Sequence, residues 1–430
     1  MPMNLTHGPV LRRNGKIRMS FEIEFDEACQ PGDLLEDESQ LQRLLNDTAV
    51  RVIGEMLACY DTHGEPLQRH RQTWTSKGKS PQIYQCYGGP VTVERHLYQS
   101  SAGGTTWCPM EERARVTGGA TPHFASIVTG KYSAQSGRAT QTDLQRSLQR
   151  DLSVDFIQTL SGEVGKTVAA RERYPAYRIQ TPPDQVEAVI LAADSTCVPI
   201  VGEDYKHVAV ACFCLMGSEG QCLEKFYLVN APEDKKITFW QRVDGEVAHL
   251  KAHCGPEVPW YGLCDGAPEL QEKPEAHCDV VTLDFYHVSE YVNEAGDGLP
   301  ATPEAREKWT AKVLHQLKHE EDGAPRLLAE LKRQLKNPLT MEARQALEKA
   351  IGYVERNLER MQYAAVRAEN MPIGSGVIEA ACKHVIKQRA AISGARWKRQ
   401  ALQTVLSLRA LYLSSNRFEQ FWQQCARVGY

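Results

Sequence analysis

The stretch 186-VEAVILAADST-196 reads as a strand buried on both faces: aliphatic residues run almost unbroken from Val186 to Ala193 before the polar Asp194-Ser195-Thr196. Beyond it lie two more strand-like runs, 207-HVAVACFCLM-216 and 225-KFYLVNA-231, then helical spacing around 237–253, then 258-VPWYGLC-264 and 279-DVVTL-283. Successive strands followed by strands alternating with helices predict a mixed α/β sheet. Before it, 171-RERYPAYRIQTPPD-184 carries Pro175, Pro182 and Pro183 and reads as an interdomain linker.

Outward from this block the pattern changes kind. Residues 302–366 have helical periodicity throughout, with Thr302-Pro303 as N-cap and first turn and Leu327, Leu331, Leu347, Ile351 and Val354 on apolar stripes. Two further helices are expected at about 376–390 and 396–413, then a short terminal one. Upstream, 38–60 has helical spacing, 61–80 is polar, and 82-QIYQCYGGPVTVERHLYQ-99 reads as a β-hairpin turning at Tyr87-Gly88-Gly89-Pro90. Helical segments follow at 122–134, 139–149 and 153–171. The last two are joined by 150-RDL-152, spacing that fits a helix-turn-helix and equally a plain helical hairpin.

A chain of 430 residues predicts two or three domains. Its longest apolar runs fall short of the ~20 residues of a membrane span, and no secretory pattern opens it, so a cytoplasmic, nucleoid-associated protein without membrane partners is expected. Thirteen cysteines with no C-x-x-C pair read as reduced thiols, and Cys86 and Cys108 alone are a thin basis for zinc. Net charge is −4, yet residues 361–430 hold ten Lys/Arg against three Asp/Glu, a net +7 that leaves −11 for 1–360. A basic end on an acidic body fits a localised polyanion-binding face, and solvated helix faces produce the same imbalance.

Asp194 closes the first core strand, and Asp265 follows 258–264 to open 265-DGAP-268. In α/β sheets ligands bind outside the carboxyl ends of strands, although an Asp after a strand is also a common turn former. Glu379 lies near the start of a helix introduced by 373-IGSG-376, where an acid also suits the helix dipole and can pair with Lys383. Three such acids suit phosphodiester chemistry, because two divalent ions ~4 Å apart can clamp the attacking and leaving oxygens, and Mg²⁺ prefers carboxylates and water. In 284-DFYH-287, Asp284 and His287 share a face on a helical turn, as a metal pair or as a helix cap and a structural histidine.

The order of these motifs, an Asp after the first strand, DGAP, D-x-x-H, a helical segment and GSG-x-x-E, resembles DDE transposases. The tail 374-GSGVIEAACKHVIKQRAAISGARW-397, with 402-LQTVLSLRALYL-413 and Phe421-Trp422, is similar to the ISKra-type insertion-sequence family, and D-x-x-H is also a mark of Mutator-like transposases. The resemblance covers 185–430, with an echo in 80–172. It implies an RNase H-like core interrupted by an all-α insertion and two Mg²⁺ ions, with Mn²⁺ able to substitute, held by Asp194, Asp265 and Glu379. It also implies Asp284 and His287 in the active-site region, and Lys383, Lys387, Arg389, Arg396, Lys398 and Arg399 as phosphate contacts. Where family members often carry a cysteine-rich ribbon, only Cys86 and Cys108 stand here.

The expected organisation is therefore a helical region (1–80), a β-hairpin element (81–115), a helix-turn-helix-like DNA-binding region (116–172), a linker (173–185), a first core part (186–300), the helical insertion (301–370) and a second core part with basic helices (371–430). The expected activity is cleavage at terminal inverted repeats and joining of 3′-hydroxyl ends to target DNA by a homodimer or higher oligomer. A nuclease on the same fold that cuts without joining, and a non-cutting DNA-binding protein, are the alternatives.

Overall fold

The computed structural model describes residues 3–25, 34–266, 274–374 and 376–428. It divides into two compact units, residues 1–167 with 419–430, and residues 168–418.

The first unit opens with strands β1 (Met3–His7), β2 (Leu11–Arg13), β3 (Lys16–Arg18) and β4 (Phe21–Phe25), paired as β1 with β4 and β2 with β3. Helix α1 (Leu34–Cys59) follows, then a four-stranded antiparallel sheet of β5 (Leu67–Arg69), β6 (Gln72–Gln85), β7 (Pro90–Ser100) and β8 (Thr106–Trp107). Two expectations are corrected here. Residues 1–80 are not a helical region: strands flank α1 on both sides, and β6 begins ten residues before the expected 82. The polar stretch 61–80 hid β5 and the start of β6 because an exposed strand needs no apolar face, and β6 is buried only at Tyr84; β2 and β3 are likewise exposed at every residue, whereas the alternation of Phe21, Ile23 and Phe25 in β4 went unread.

Helices α2 (Pro109–Ala114), α3 (Pro122–Ala134), α4 (Gly137–Leu148) and α5 (Val154–Arg171) complete this region. Ser136 and Ser153 each accept an N–H of the helix they open, from Ala139 at 3.2 Å and Phe156 at 3.1 Å. Gln149 ends α4 at φ 54°. Cys86 and Cys108 lie buried in an apolar cluster with Leu57, Tyr84, Val91 and Met110, where burial pushes the Cys108 thiol up and disfavours the thiolate that zinc needs.

The second unit is built on a five-stranded sheet in the order β11-β10-β9-β12-β13, with β9 (Ala188–Pro199), β10 (Tyr205–Met216), β11 (Cys222–Asn230), β12 (Trp260–Cys264) and β13 (Val280–Leu283). The first three strands run antiparallel, and β12 and β13 run parallel to β9. Strand β9 is apolar on both sides because both are covered. Val189 and Leu191 face α6 (Ile237–Cys254) with Phe239, Val243 and Leu250. Ile190 and Ala192 face Ile378, Val385, Leu402 and Leu406 of the C-terminal helices.

After β13 come α7 (Phe285–Asp297), α8 (Pro303–His319), α9 (Gly323–Gln334), α10 (Met341–Asn357) and α11 (Tyr363–Ala368), sharing a core of Val288, Val292, Leu317, Leu331, Leu347 and Val354. Thr302 caps α8, accepting from Ala305 N–H at 3.3 Å. Helix α12 (Gly376–Ala381) passes through a π-helical turn (Cys382–Lys387) into α13 (Gln388–Ala390), followed by α14 (Arg399–Leu413) and α15 (Arg417–Val428). Buried ion pairs fasten the layers: Arg242 holds Glu172 at 2.9 Å, and Arg417 grips Glu246 at 2.8 and 2.5 Å while lying over the Phe226 ring. No helix among the described residues is long and apolar enough to cross a membrane.

Candidate active site

The parallel registers set three acids in one row. Leu263 of β12 pairs with Ala192 of β9 on one side and Thr282 of β13 on the other. Two residues further along, on the same face of each chain, stand Asp265, Asp194 and Asp284. That face is the one covered by the C-terminal helices. Asp194 was expected to end its strand, and this is corrected: β9 continues to Pro199 because β10 keeps pairing with it (Asp194 with Val210, Cys197 with His207), whereas β12 and β13 stop at Cys264 and Leu283. Asp194 thus lies where the parallel half of the sheet ends.

Asp194 is partly buried, and its carboxylate accepts the Ser195 N–H at 2.5 Å and the Cys382 thiol at 3.2 Å. Burial raises its pKa, the bonds from Cys382 and Ser195 oppose that, the charge of Asp265 raises it further, and His287 lowers it. The same surroundings push the Cys382 thiol well up, burial first and the Asp194 charge next. Asp265 is fixed through its backbone: the Tyr353 hydroxyl donates to its carbonyl at 2.9 Å. Gly266 follows at φ +90°, and a Cβ there would lie 2.9 Å from the Tyr353 hydroxyl, so the glycine of the DGAP motif is demanded by backbone and neighbour alike. Ala267 and Pro268 of that motif, and Ser375 of the GSG motif, lie outside the described residues.

Asp284 is fully buried and caps α7, accepting the Tyr286 N–H at 2.9 Å and the Nδ1–H of His287 at 2.5 Å. The second bond lifts the His287 pKa to about 9, against the opposing effect of burial and with help from the charges of Asp284 and Asp265. The GSG segment packs on this turn. Ile373 accepts the Phe285 N–H at 2.9 Å, and a Cβ on Gly374 would come within 2.6 Å of the Tyr286 ring. Two motifs almost ninety residues apart are therefore joined.

Glu379 is exposed on α12, one turn before Cys382 and on the same side of the helix. Asp194 and Asp265 are brought together. Glu379 is not gathered with them at coordinating distance, since no group of three or more His, Cys, Asp or Glu among the described residues is close enough to hold a metal ion. In the π turn, the Gln388 N–H reaches the Lys383 carbonyl, and the buried Arg409 donates to the His384 carbonyl at 2.7 Å. Burial, with Arg389 nearby, lowers the Arg409 pKa to about 10.

The basic residues divide in two. Lys383, Lys387, Arg396 and Lys398 are exposed. Arg389 is 3% exposed and lies 5.1 Å over the Trp397 ring, and Arg399 is engaged by Glu203 at 2.5 Å and by the Pro232 carbonyl at 2.8 Å. Sequence reasoning also passed over Cys382, Tyr353 and Arg409. Cys382 was legible only as an apolar position, and nothing in the spacing of α10 or α14 singles out Tyr353 or Arg409.

No protein-family model matches the chain, and no curated protein matches it. Among solved structures, the chain is similar to the Drosophila P element transposase strand transfer complex, at 10% sequence identity and a TM-score of 0.38, over 69% of this chain and 93% of that one.

Proposed function

We propose that this chain is a DDE transposase of the ISKra type, which cuts DNA at the terminal inverted repeats of an insertion sequence and joins the 3′-hydroxyl ends to target DNA. The observation that carries the reading is the row of Asp194 and Asp265 at the end of the parallel strands, with the helix of Glu379 docked on Asp194 through Cys382. Strand order β11-β10-β9-β12-β13, with its antiparallel and parallel halves, supports an RNase H-like core. On this reading the helices within 303–368 are its all-α insertion.

By chemistry the acids suit divalent ions, although among the described residues only two of the three, Asp194 and Asp265, stand together and Glu379 lies apart. Asp194 and Asp265 share one row, and Asp194 is partly buried and feels the charge of Asp265, so an oxygen-seeking cation would relieve both penalties. Asp194, Asp265 and Glu379, the one acid between residues 370 and 418, would hold two Mg²⁺, or Mn²⁺ in their place. Bound there, the ions would supply Lewis-acid activation of the attacking oxygen and charge neutralisation at the leaving one. The chain's own groups orient and attract: Tyr353 holds the Asp265 backbone, Asp284 fixes His287 as a cation beside the acids, and Lys383 and Lys387 offer charge to DNA phosphates. Joining two ends to one target calls for a homodimer or higher oligomer.

A strand-transfer assay with Mg²⁺ and a donor duplex carrying the repeats that flank the coding region tests this. Asp194→Asn, Asp265→Asn and Glu379→Gln should each lower joining by about 10²–10³-fold, the range for removing one group that stabilises transition-state charge. Joining unchanged in Asp265→Asn sinks the site assignment, and cutting of branched DNA without any joining favours a nuclease.

A further inference from the structure

Residues 3–25 form one antiparallel ribbon. Strands β1 and β4 pair from Met3 with Phe25 to His7 with Phe21, the Gly8 N–H donates to the Ser20 carbonyl at 3.0 Å, and β2 and β3 carry the pairing on to a turn at Asn14-Gly15. Both turn residues have positive φ, 53° and 70°, as a tight two-residue hairpin turn requires.

Charge is unevenly spread along this ribbon. Its base carries Glu22 and Glu24, whereas residues 8–20 hold Arg12, Arg13, Lys16 and Arg18 and no acid. Partners across a pair share a face and neighbours alternate. Leu11 pairs with Arg18 and Arg13 with Lys16, so Arg13, Lys16 and Arg18 lie on one face, and Arg12 with its partner Ile17 on the other. The Arg12 face is turned toward α1: Arg12 forms an ion pair with Glu55 of that helix, and Gln40 of the same helix donates to the Met3 carbonyl at 3.2 Å. The opposite face presents three cations, exposed and without an ion-pair partner among the described residues.

Like charges directly opposite one another destabilise a ribbon, and Arg18 lies only about 7 Å along from Lys16. A polyanion relieves that repulsion. A two-stranded ribbon fits a DNA major groove ~12 Å wide. Residues 8–20 contain no aromatic side chain, which removes the stacking platform that single strands use.

We infer that this ribbon is a duplex-DNA contact, with Arg13, Lys16 and Arg18 neutralising phosphates. It shares with the transposase reading only the nature of the partner, and the cationic face stands whether or not the acids join DNA. The test is binding of the full chain to a 30-base-pair duplex, measured by fluorescence anisotropy in EDTA across a salt series. Each phosphate contact contributes about 0.9 to the slope of log K against log salt. Arg13→Gln/Lys16→Gln/Arg18→Gln should therefore flatten the slope by about 2.7, so that the parent chain loses about 40-fold more affinity than the variant between 50 and 200 mM salt. The lysine variant Arg13→Lys/Arg18→Lys should keep the parent slope. An unchanged slope in a glutamine variant that melts at the parent temperature overturns the inference. So does a single-stranded RNA of equal length that binds more tightly than the duplex and loses the same slope, which would make RNA the partner. Failure of joining with this slope intact counts against the transposase reading alone.

Discussion

Replacing Gly266 by Ala should strain the backbone and the Asp265 anchor together, and the two costs can be separated. At φ +90° an L-residue sits in a region that costs on the order of 1–3 kcal/mol. The new Cβ would stand 2.9 Å from the Tyr353 hydroxyl and 3.2 Å from a Leu283 methyl, so the tyrosine must withdraw. Its bond to the Asp265 carbonyl, 2.9 Å long, is then lost at about 0.5–1.5 kcal/mol. The sum is about 1.5–4.5 kcal/mol, a large share of a typical domain stability of about 5–15 kcal/mol. Urea unfolding of Gly266→Ala, Tyr353→Phe and the double variant reads the terms apart. In the Tyr353→Phe background the hydroxyl is gone while the ring edge and the Leu283 methyl stay at 3.2 Å, so Gly266→Ala should cost less than in the parent by about the value of the lost bond, about 0.5–1.5 kcal/mol. A cost below about 0.5 kcal/mol in the parent, or the same cost in both backgrounds, would refute the reasoning. The variant should also lose joining activity, because Asp265 moves with the carbonyl that Tyr353 holds.

In the absence of divalent ions, an NMR titration of His287 should give a midpoint near 9, and Asp284→Asn should move it down toward the ordinary imidazole range. Because the folded value is raised, the stability this pair contributes is fully present below about 6.5 and is lost as pH climbs through 9; a parent midpoint near 6.5 would contradict the geometry. The cations of 383–399 should separate by exposure. Lys383→Ala/Lys387→Ala should flatten the salt dependence of DNA binding by about 1.8 without lowering stability. Arg389→Ala should leave that slope alone and cost on the order of 2 kcal/mol, since its guanidinium is buried over Trp397. A changed slope in Arg389→Ala with unaltered melting would reverse that division.

Much of the second unit was legible because its elements declare themselves locally. An aliphatic run such as 186–193 can only be a covered strand or core helix; helical periodicity gave the helix at 237–253 within a residue, and gave 302–366 as one helical stretch without showing where its separate helices begin and end. The acids were legible as candidates because each adjoins such an element. The strands within 3–25 were passed over: β2 and β3 have no apolar face to betray them, and the alternation of Phe21, Ile23 and Phe25 with Glu22 and Glu24 and the turn residues Asn14-Gly15 were the local signs that went unread. Nor could spacing say that Asp194 is interior to its strand, because the length of β9 is set by its partner β10, not by its own composition.

By itself, then, the sequence determined the mixed α/β character of residues 186–300, the helices that follow, and the acids standing beside strand and helix ends, all consequences of short-range periodicity and turn chemistry. Only the tertiary structure decided that Asp194, Asp265 and Asp284 stand level, that Cys382 rather than Glu379 touches Asp194, and that Arg389 is buried while Lys383 and Lys387 are exposed. Strand register, helix rotation and burial are properties of pairs of elements distant in the chain, and they are settled when those elements pack.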